Sequence, residues 1–557
     1  MAHPRFTTKT RALAALALAG GLALAGCSGA TDGGGSSGLD GTQLLTIPRE
    51  DKATFSENFN PFSPNSMPMT QQAIYEPMFV FNPADGTTTP WLATEWSSSE
   101  DGMGVTFTLR EGVQWSDGEP MTGEDVVFSF ELQKELLGGF EYLESVTTDG
   151  ATVTFTYNTA FSPGLFEIGQ QVIIPKHIWE NIEDPANETN PVPVGTGPYT
   201  EVTNFQTQSY QLLRNPNYWQ EDAQKIEGIL MLAFAGNDPA NLATTNGETD
   251  WADQFIPDIE NTFVAKDPEN RGYWFPAVDS MINLQLNTTK APFDDVAVRK
   301  AISMAIDRES VTSVAMQGYT HPADCTGLSD AYETWRSAEV VKGCDWTTLD
   351  VEGANALLDE AGYPRGADGM RTLPDGSPFA FDISVGSASS DWLSVANIIS
   401  QNLVEIGVTA TVDSPDWSAV VAGYEDGSFD SGIVWSNNAP TPYQFYRGAM
   451  STETVLPVGE QAFQNYHRFG LPEADALLGE FAASGDEAKQ AATMNELQAV
   501  FAENAPLVPL FPGPRWGAYN TTRFTGFPNE DNPYAPLSVR SATTVLVLTT
   551  LEPVVSE

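Results

Sequence analysis

Residues 105–130 read VTFTLREGVQWSDGEPMTGEDVVFSF, and this stretch shows which kinds of element alternate in the fold. Its first residues alternate between apolar and polar side chains, with the apolar positions at Val105, Phe107 and Leu109. Such alternation is typical of a strand with one buried face. A Ser-Asp-Gly turn follows, and Thr122 with Asp125 three residues later has the pattern of a helix N-cap. The stretch therefore predicts a strand, a turn and a helix in succession.

Further elements of both kinds follow along the chain. Residues 229–234 are an unbroken apolar run, which favours a strand covered on both faces. Apolar residues at helical spacing predict an amphipathic helix over 295–309. A second helix is predicted over 355–361, ended by Gly362 and Pro364. Interleaved strands and helices indicate an α/β fold.

The N-terminus has the features of a processing signal. Residues 1–11 are basic, residues 12–25 are almost entirely Ala, Leu and Gly, and Leu-Ala-Gly precedes Cys27. This pattern predicts a secretory signal peptide over 1–26, whose apolar run is too short to span a bilayer. Cys27 resembles the acylated cysteine of the bacterial lipoprotein lipobox; the alternative is an ordinary exported protein with an incidental cysteine. Residues 27–40 would then be a lipidated cysteine and a flexible Gly/Ser-rich tether.

The charge balance excludes one class of partner. The chain has 26 basic and 74 acidic residues, a net charge of −48. Nucleic-acid binding depends on clustered Lys and Arg, so we expect no nucleic-acid partner. Because a basic patch is lacking, lipid would hold the protein at the outer face of the cell membrane, towards the extracellular or periplasmic side.

Two cysteines remain after the predicted processing site. Cys325 and Cys344 are nineteen residues apart, and in an oxidising compartment such a pair is expected to close a loop as a disulfide. The alternative is two free thiols.

Nine short motifs occur in order along the chain. They are WLATEW (91–96), TFTLREGV (106–113), WSDGEP (115–120), DVVFS (125–129), GTGPY (195–199), NPNYW (215–219), AVRKAI (297–302), LLDEAGY (357–363) and APLVPL (505–510). Together they resemble family 5 of the extracellular solute-binding proteins, the large receptors of ABC importers for dipeptides, oligopeptides, nickel and some oligosaccharides. The resemblance covers about residues 40–550. Most of these motifs are turns, caps and core faces, so none is assigned to the binding site.

The resemblance implies a two-lobed clamp that encloses its ligand between the lobes. The first lobe would comprise residues 41–285, with an extra subdomain over about 62–190, and the return segment 508–557. The second lobe would comprise residues 286–507. Chain crossings near 281–286 and 507–511 would form the hinge. We expect a monomer that works with ABC permease subunits, and no enzymatic activity.

Residues 433–442, IVWSNNAPTP, indicate the ligand class. In the corresponding segment, peptide receptors of the family place acids that pair with the ammonium group of the peptide. Asn437 and Asn438 stand there instead, and amides suit hydroxyls better than a charged amine. The following residues resemble the branch that takes up β-linked oligosaccharides such as cellobiose, whose rings stack on aromatic side chains. The predicted ligand-binding residues are Trp435, Asn437, Asn438, Tyr443, Tyr446, Arg447, Asn58, Asn60, Tyr75, Trp417 and Trp274.

Other functions remain open alternatives. An oligopeptide or dipeptide receptor is the first, and an exported glycoside hydrolase is a remote second, since two acids at a suitable separation cannot be recognised from sequence spacing. No His-Glu-x-x-His motif or nucleophile elbow is present in the sequence. With only four histidines, of which His3 leaves with the signal, we expect no dedicated nickel site and no cofactor.

Overall fold

The computed structural model describes residues 44–276, 280–436 and 439–554. The predicted signal peptide, Cys27, the tether, Asn437 and Asn438 lie outside the described residues. No helix within these three ranges is long and apolar enough to cross a bilayer.

Within the described chain, named strands lie in two stretches, residues 45–286 and 380–553. In chain order they are β1 (Leu45–Arg49), β2 (Asp51–Lys52), β3 (Phe79–Asn82), β4 (Thr87–Pro90), β5 (Ala93–Ser98), β6 (Gly104–Leu109), β7 (Leu143–Asp149), β8 (Thr152–Tyr157), β9 (Tyr199–Gln206), β10 (Ser209–Arg214), β11 (Gly228–Ala235), β12 (Trp251–Ala252), β13 (Arg271–Tyr273), β14 (Met281–Leu286), β15 (Ala380–Ser384), β16 (Thr409–Asp413), β17 (Ser431–Trp435), β18 (Val508–Pro512), β19 (Ala518–Asn520), β20 (Phe524–Thr525) and β21 (Glu552–Pro553).

Helices alternate with these strands, so the predicted α/β class is confirmed. They are α1 (Gly123–Leu137), α2 (Gly164–Gly169), α3 (Lys176–Trp179), α4 (Asn237–Asn246), α5 (Ile259–Thr262), α6 (Val296–Ala305), α7 (Arg308–Ser310), α8 (Ala338–Lys342), α9 (Val351–Glu360), α10 (Ser390–Val404), α11 (Trp417–Asp426), α12 (Tyr443–Met450), α13 (Pro472–Ala482), α14 (Glu487–Asn504) and α15 (Thr544–Leu548). Short 3-10 or π segments lie at Thr70–Ile74, Val264–Lys266, Val311–Ala315, Asp330–Trp335 and Thr452–Thr454.

Three sheets organise the fold. Sheet I has the order β1-β11-β10-β9 with β2 also beside β11, and β1 runs parallel to β11. Sheet II has the order β16-β15-β17-β14-β18; β15 is parallel to both neighbours and β14 is antiparallel to both. The subdomain sheet is antiparallel, in the order β5-β6-β8-β7. A small sheet, β12-β19-β13, joins two strands from the middle of the chain to one from its C-terminal part.

Each large sheet has its own apolar core. The core beside sheet I draws mainly on residues 45–75, 199–233 and 524–551. The core beside sheet II draws on residues 282–433 and 508–511. The strands β14 and β18 both belong entirely to sheet II. The predicted boundary at 285/286 falls at the C-terminal end of β14, and the predicted boundary at 507/508 falls directly before β18.

The C-terminal segment is tied to the start of the chain by ion pairs. Arg523 Nε donates to Asp250 Oδ1 at 2.9 Å, and the backbone N–H of Thr46 donates to Asp250 Oδ2 at 2.7 Å. Arg540 Nε donates to Asp253 Oδ2 at 3.1 Å. Since both aspartates are buried, these charge-assisted bonds also satisfy carboxylates that burial would otherwise destabilise.

Several of the sequence motifs meet at one buried carboxyl group. Glu76 is 1% exposed. Its Oε1 accepts from Trp91 Nε1 at 2.7 Å and from the Tyr218 hydroxyl at 3.1 Å, and its Oε2 accepts from Trp219 Nε1 at 3.0 Å. Burial raises the pKa of Glu76 to about 7, against the opposing effect of these donors. These motif residues therefore hold the fold together.

The local predictions agree with the structure to different degrees. The strand β6 and the helix α1 are confirmed, and Thr122 N donates to Asp125 Oδ2 at 2.7 Å in a capping box. The helix predicted over 295–309 is shorter, because α6 ends at Ala305, and the helix predicted from residue 355 begins earlier, at Val351. Strand β11 is fully buried on one face only, so the expectation of two covered faces is wrong.

Candidate functional site

A cleft of about 1390 Å³ opens between two parts of the chain that are distant in sequence. One wall comes from residues 133–171 of the subdomain, with residues 61–64 at its edge. The opposite wall comes from residues 443–483, which include α12 and α13. Typical small-molecule sites occupy about 300–1,000 Å³, so this cleft is large enough for an extended solute.

The walls of the cleft combine flat rings with planar amides. Rings present apolar faces, and amides both donate and accept hydrogen bonds. Gln133 Nε2 donates to Gln171 Oε1 at 2.7 Å, so these two amides orient each other. These rings and amides therefore suit a molecule with hydroxyl groups and apolar faces. The rings are Phe62, Phe140, Tyr142, Phe161, Phe166, Tyr443 and Phe463, and the amides are Gln133, Asn158, Gln170, Gln171, Gln444, Gln461 and Gln464.

Glu167 is the most shielded acid in the cleft lining. It lies on α2 and is half-buried, and burial raises the pKa of its carboxyl group. The Tyr142 hydroxyl, Arg447 and Gln444 oppose this rise. Gln444 Nε2, from the opposite wall, donates to the Glu167 carboxylate. The Arg447 guanidinium forms its ion pair with Glu453, at 3.8 Å.

Direct contacts hold the two walls together beside the cleft. The backbone N–H of Ser162 donates to the Ala482 carbonyl at 2.7 Å, and Gln490 Nε2 donates to Ser162 Oγ at 3.0 Å. The rings of Phe161 and Tyr443 meet edge to face, with centroids 5.9 Å apart. The two walls are therefore in contact at this end of the cleft.

Three indole rings form a second surface, which we call the tryptophan cluster: Trp392, Trp417 and Trp435. Trp435 ends β17, and its ring stacks on Trp417 at 5.5 Å and tilts against Trp392 at 6.0 Å. Trp435 remains 46% exposed. A partly exposed ring backed by two others offers a firm flat face, which is the feature that sugar stacking requires.

The tryptophan cluster lies next to another contact between the N-terminal half and sheet II. The backbone N–H of Asn237, at the start of α4, donates to the Ala388 carbonyl at 3.2 Å. Asn237 Nδ2 donates to Ser390 Oγ at 3.2 Å, two residues before Trp392. The cluster is therefore placed beside a junction between the two parts, although it does not line the cleft described above.

Comparison with protein-family models gives the class of the protein. The model "Bacterial extracellular solute-binding proteins, family 5 Middle" matches residues 87–455. The chain belongs to this family. It is therefore an extracellular solute-binding protein of an ABC importer.

Individual relatives of this solute-binding protein differ in what they bind. The nickel-binding periplasmic protein of Escherichia coli K12 is 26% identical, over 86% of this chain and 89% of that protein. A periplasmic oligopeptide-binding protein from Thermotoga maritima, solved with mannohexaose bound, has a TM-score of 0.86 at 26% identity, covering 93% of this chain and 99% of that one.

A more distant structure supports the same fold. The oligopeptide-binding protein AppA from Bacillus subtilis, in complex with a nonapeptide, has a TM-score of 0.76 at 18% identity and covers 92% of this chain and 99% of that one. The fold is that of the family 5 periplasmic binding proteins, as predicted.

Of the predicted ligand-binding residues, Tyr443 and Arg447 line the cleft. Tyr446, on the same helix, is fully buried, and its hydroxyl donates to the Thr326 carbonyl at 2.8 Å. It can support the cleft wall from behind, but it does not contact solvent. Trp435 and Trp417 are in the tryptophan cluster instead.

Four other predicted residues, Asn58, Asn60, Tyr75 and Trp274, have partners within the protein, and their assignment to the ligand stays a prediction. Asn60 is fully buried, and its Nδ2 donates to two backbone carbonyls at 2.8 Å. Tyr75 is 1% exposed, and its hydroxyl accepts from Asn190 Nδ2 at 2.7 Å. Asn58 Nδ2 donates to Ser63 Oγ at 3.0 Å within the same turn. Trp274 packs against the core of sheet I.

Two further observations concern the cysteine pair and metal binding. Cys325 and Cys344 are joined by a disulfide in the structure, with Cα atoms 6.4 Å apart. Among the residues that the structure describes, no three His, Cys, Asp or Glu side chains are grouped closely enough to hold a metal ion.

Sequence reasoning missed Trp392 and the subdomain wall of the cleft. Trp392 lies in the first turn of α10, where nothing in the local pattern separates it from a packing residue. Glu167 and Phe161 are more than 270 residues from the segment they face. Gln444 directly follows Tyr443, in the segment from which the ligand-binding residues were predicted. This position is the one feature of the sequence that could have identified Gln444 as a site residue.

Proposed function

We propose that this protein captures a β-linked oligosaccharide, such as a cello-oligosaccharide, and delivers it to the permease of an ABC importer. The observation that carries the proposal is the composition of the cleft, whose lining includes seven aromatic rings and seven side-chain amides. Pyranose rings have apolar faces for the aromatic rings and equatorial hydroxyls for the amides. Binding needs no chemical step, so no enzymatic activity is proposed.

The tryptophan cluster supports the same solute class. The exposed face of Trp435 would stack on a sugar ring, with Trp417 and Trp392 holding the indole in place. Asn437 and Asn438, which follow it in the sequence, would bond sugar hydroxyls. The relative from Thermotoga maritima was solved with mannohexaose bound, which is consistent with an oligosaccharide in this fold.

The remaining parts of the proposal concern the organisation of the molecule. The protein would be a monomer, anchored by acylated Cys27 and the tether of residues 27–40 to the outer face of the membrane. The separate cores of sheets I and II support a division into two lobes that close on the solute. Such closure would occur by rotation about the chain crossings at β14 and β18.

Isothermal calorimetry of the full-length protein tests the solute class. Cellohexaose, mannohexaose and xylohexaose are compared with a mixture of di- to pentapeptides. We expect at least one hexasaccharide to bind and the peptides not to bind. If peptides bind and none of the sugars does, the proposal is refuted and a peptide receptor is favoured.

Variants of Trp435 test the position of the site. Trp435→Ala should weaken sugar binding by about thirtyfold, or about 2 kcal/mol, which is typical of a stacked aromatic anchor. Because the ring is partly exposed, the melting temperature should change little. Trp435→Phe keeps a flat ring and should retain an intermediate affinity. Unchanged affinity in Trp435→Ala contradicts the assignment.

A further inference from the structure

The charges that line the cleft are unbalanced. Four carboxylates, from Glu141, Glu167, Glu453 and Asp475, line it together with one guanidinium, from Arg447. A cleft lined by charges of one sign concentrates solutes of the opposite sign and repels those of the same sign. The whole chain, at −48, has the same sign of charge as the cleft.

Three of these charges already have local partners or face solvent. Asp475 Oδ1 accepts from Ser451 Oγ at 2.7 Å and from the backbone N–H of Thr452 at 3.0 Å. Glu453 is exposed and lies 3.8 Å from Arg447, so these two charges compensate each other at the rim. Glu141 is exposed, and water screens its charge.

Glu167 differs from the other acids in its surroundings. Like Asp475 it is half-buried, but within the described part of the chain no Lys or Arg nitrogen lies within ion-pair distance of its carboxylate, although the charge of Arg447 lowers the pKa of its carboxyl group. From the opposite wall, the neutral amide of Gln444 donates a hydrogen bond to the Glu167 carboxylate. The ring of Tyr142 lies beside it and stacks on Phe161, with centroids 4.0 Å apart. A carboxylate beside stacked rings is a favourable environment for an organic cation, through ion pairing and cation–π attraction.

We propose that the cleft selects solutes that carry an ammonium group and rejects anionic ones, with Glu167 as the residue that recognises the ammonium group. This proposal rests on the proposed function, because it specifies the oligosaccharide as one that contains amino sugars. The amino group would donate to the Glu167 carboxylate, while the amides and rings of the cleft contact the rest of the sugar.

Three hexasaccharides with the same β-1,4 linkage and glucose stereochemistry test the proposal: cellohexaose, the glucosamine hexasaccharide and the glucuronate hexasaccharide. Calorimetry with the full-length protein is done at about pH 6.5, where amino groups are largely protonated. The glucosamine hexasaccharide should bind about tenfold or more tightly than cellohexaose, and the glucuronate hexasaccharide should bind weakest.

The variant Glu167→Gln should remove the advantage of the amino sugar and leave cellohexaose within about threefold of the wild type, because glutamine keeps the shape and can still bond hydroxyls. Glu141→Gln makes the same change at an exposed acid of the same cleft and should alter neither ratio. Melting temperatures of both variants show that they fold.

The outcomes separate this proposal from the proposed function. If a neutral hexasaccharide binds while the amino sugar binds no better, or if Glu167→Gln leaves the ratio of amino to neutral sugar unchanged, the charge selection is wrong and the oligosaccharide function stands. If none of the sugars binds and peptides do, the proposed function is wrong, and the amino-sugar proposal is wrong with it.

Discussion

The buried carboxyl group of Glu76 should make the stability of this protein fall as the pH rises. The pKa of Glu76 is raised from its ordinary value of 4.5 to about 7 by burial. Between these two values the folded chain keeps a proton that the unfolded chain has lost. The folded state is therefore favoured by protons, and its advantage declines as the pH rises through this window.

The size of the effect follows from the same two values. A difference of about 2.5 pH units corresponds to about 3 kcal/mol at 1.36 kcal/mol per unit. This contribution to the free energy of unfolding is fully present below about pH 4.5 and is lost above about pH 7. Such a loss is a sizeable fraction of the total stability of a typical domain.

The variant Glu76→Gln isolates this contribution. Its amide oxygen can still accept from Trp91 and Tyr218, but its NH₂ group would face the donor Trp219 Nε1, so a cost of about 1–3 kcal/mol is expected at low pH. Because glutamine does not titrate, the free energy of unfolding of the wild type relative to the variant should fall between pH 5 and pH 7, while other titrating groups such as His467 contribute equally to both.

Urea denaturation followed by tryptophan fluorescence, repeated from pH 5 to pH 8, measures this difference. Glu111→Gln, at an exposed glutamate, serves as the matched control and should keep the wild-type pH dependence. If Glu76→Gln shows the same decline with pH as the wild type, Glu76 is not the titrating group and the reasoning is refuted.

Two other predictions concern stability. Replacing Cys325 and Cys344 by Ser should lower the free energy of unfolding by about 3 kcal/mol, because the bond closes a loop with a sequence separation of 19; equal melting temperatures for variant and wild type would contradict this. His467 is buried, and burial lowers its pKa from 6.5 to about 4, so the unfolded chain binds more protons in this window and about 3 kcal/mol should be lost on acidification. His467→Gln should not show that loss in urea titrations at pH 4 to 6.5, and an unchanged acid profile would argue against it.

Local patterns predicted the regular elements because the causes of those elements are themselves local. The alternation at residues 105–109 reflects one buried face of β6, and Thr122 and Asp125 are close enough in the chain to cap α1 by themselves. The end of α6 at Ala305 was not predictable from the same pattern, since apolar spacing continues through Ile306.

The candidate site was predictable only on one wall. Tyr443 and Arg447 belong to a segment whose family resemblance identified it, whereas Glu167 and Phe161 come from another part of the chain and meet that segment only in the folded protein. Asn60 shows what a sequence pattern leaves undetermined. A polar side chain looks the same in the sequence whether it binds a ligand or, as here, two backbone carbonyls.

The way in which the C-terminal segment completes the core of sheet I has a consequence for biosynthesis. The core beside sheet I includes residues 524–551. The ion-pair partners of Asp250 and Asp253 are Arg523 and Arg540, which also belong to this last part of the chain. The polypeptide emerges from its N-terminus, and domains generally fold as units in that order. Sheet II can assemble from the inserted residues 281–512, but the core beside sheet I stays incomplete until residues 524–551 have been released. Until then the apolar faces of β1 and β11 lack their cover, so the nascent chain depends on being kept from aggregation until it is complete.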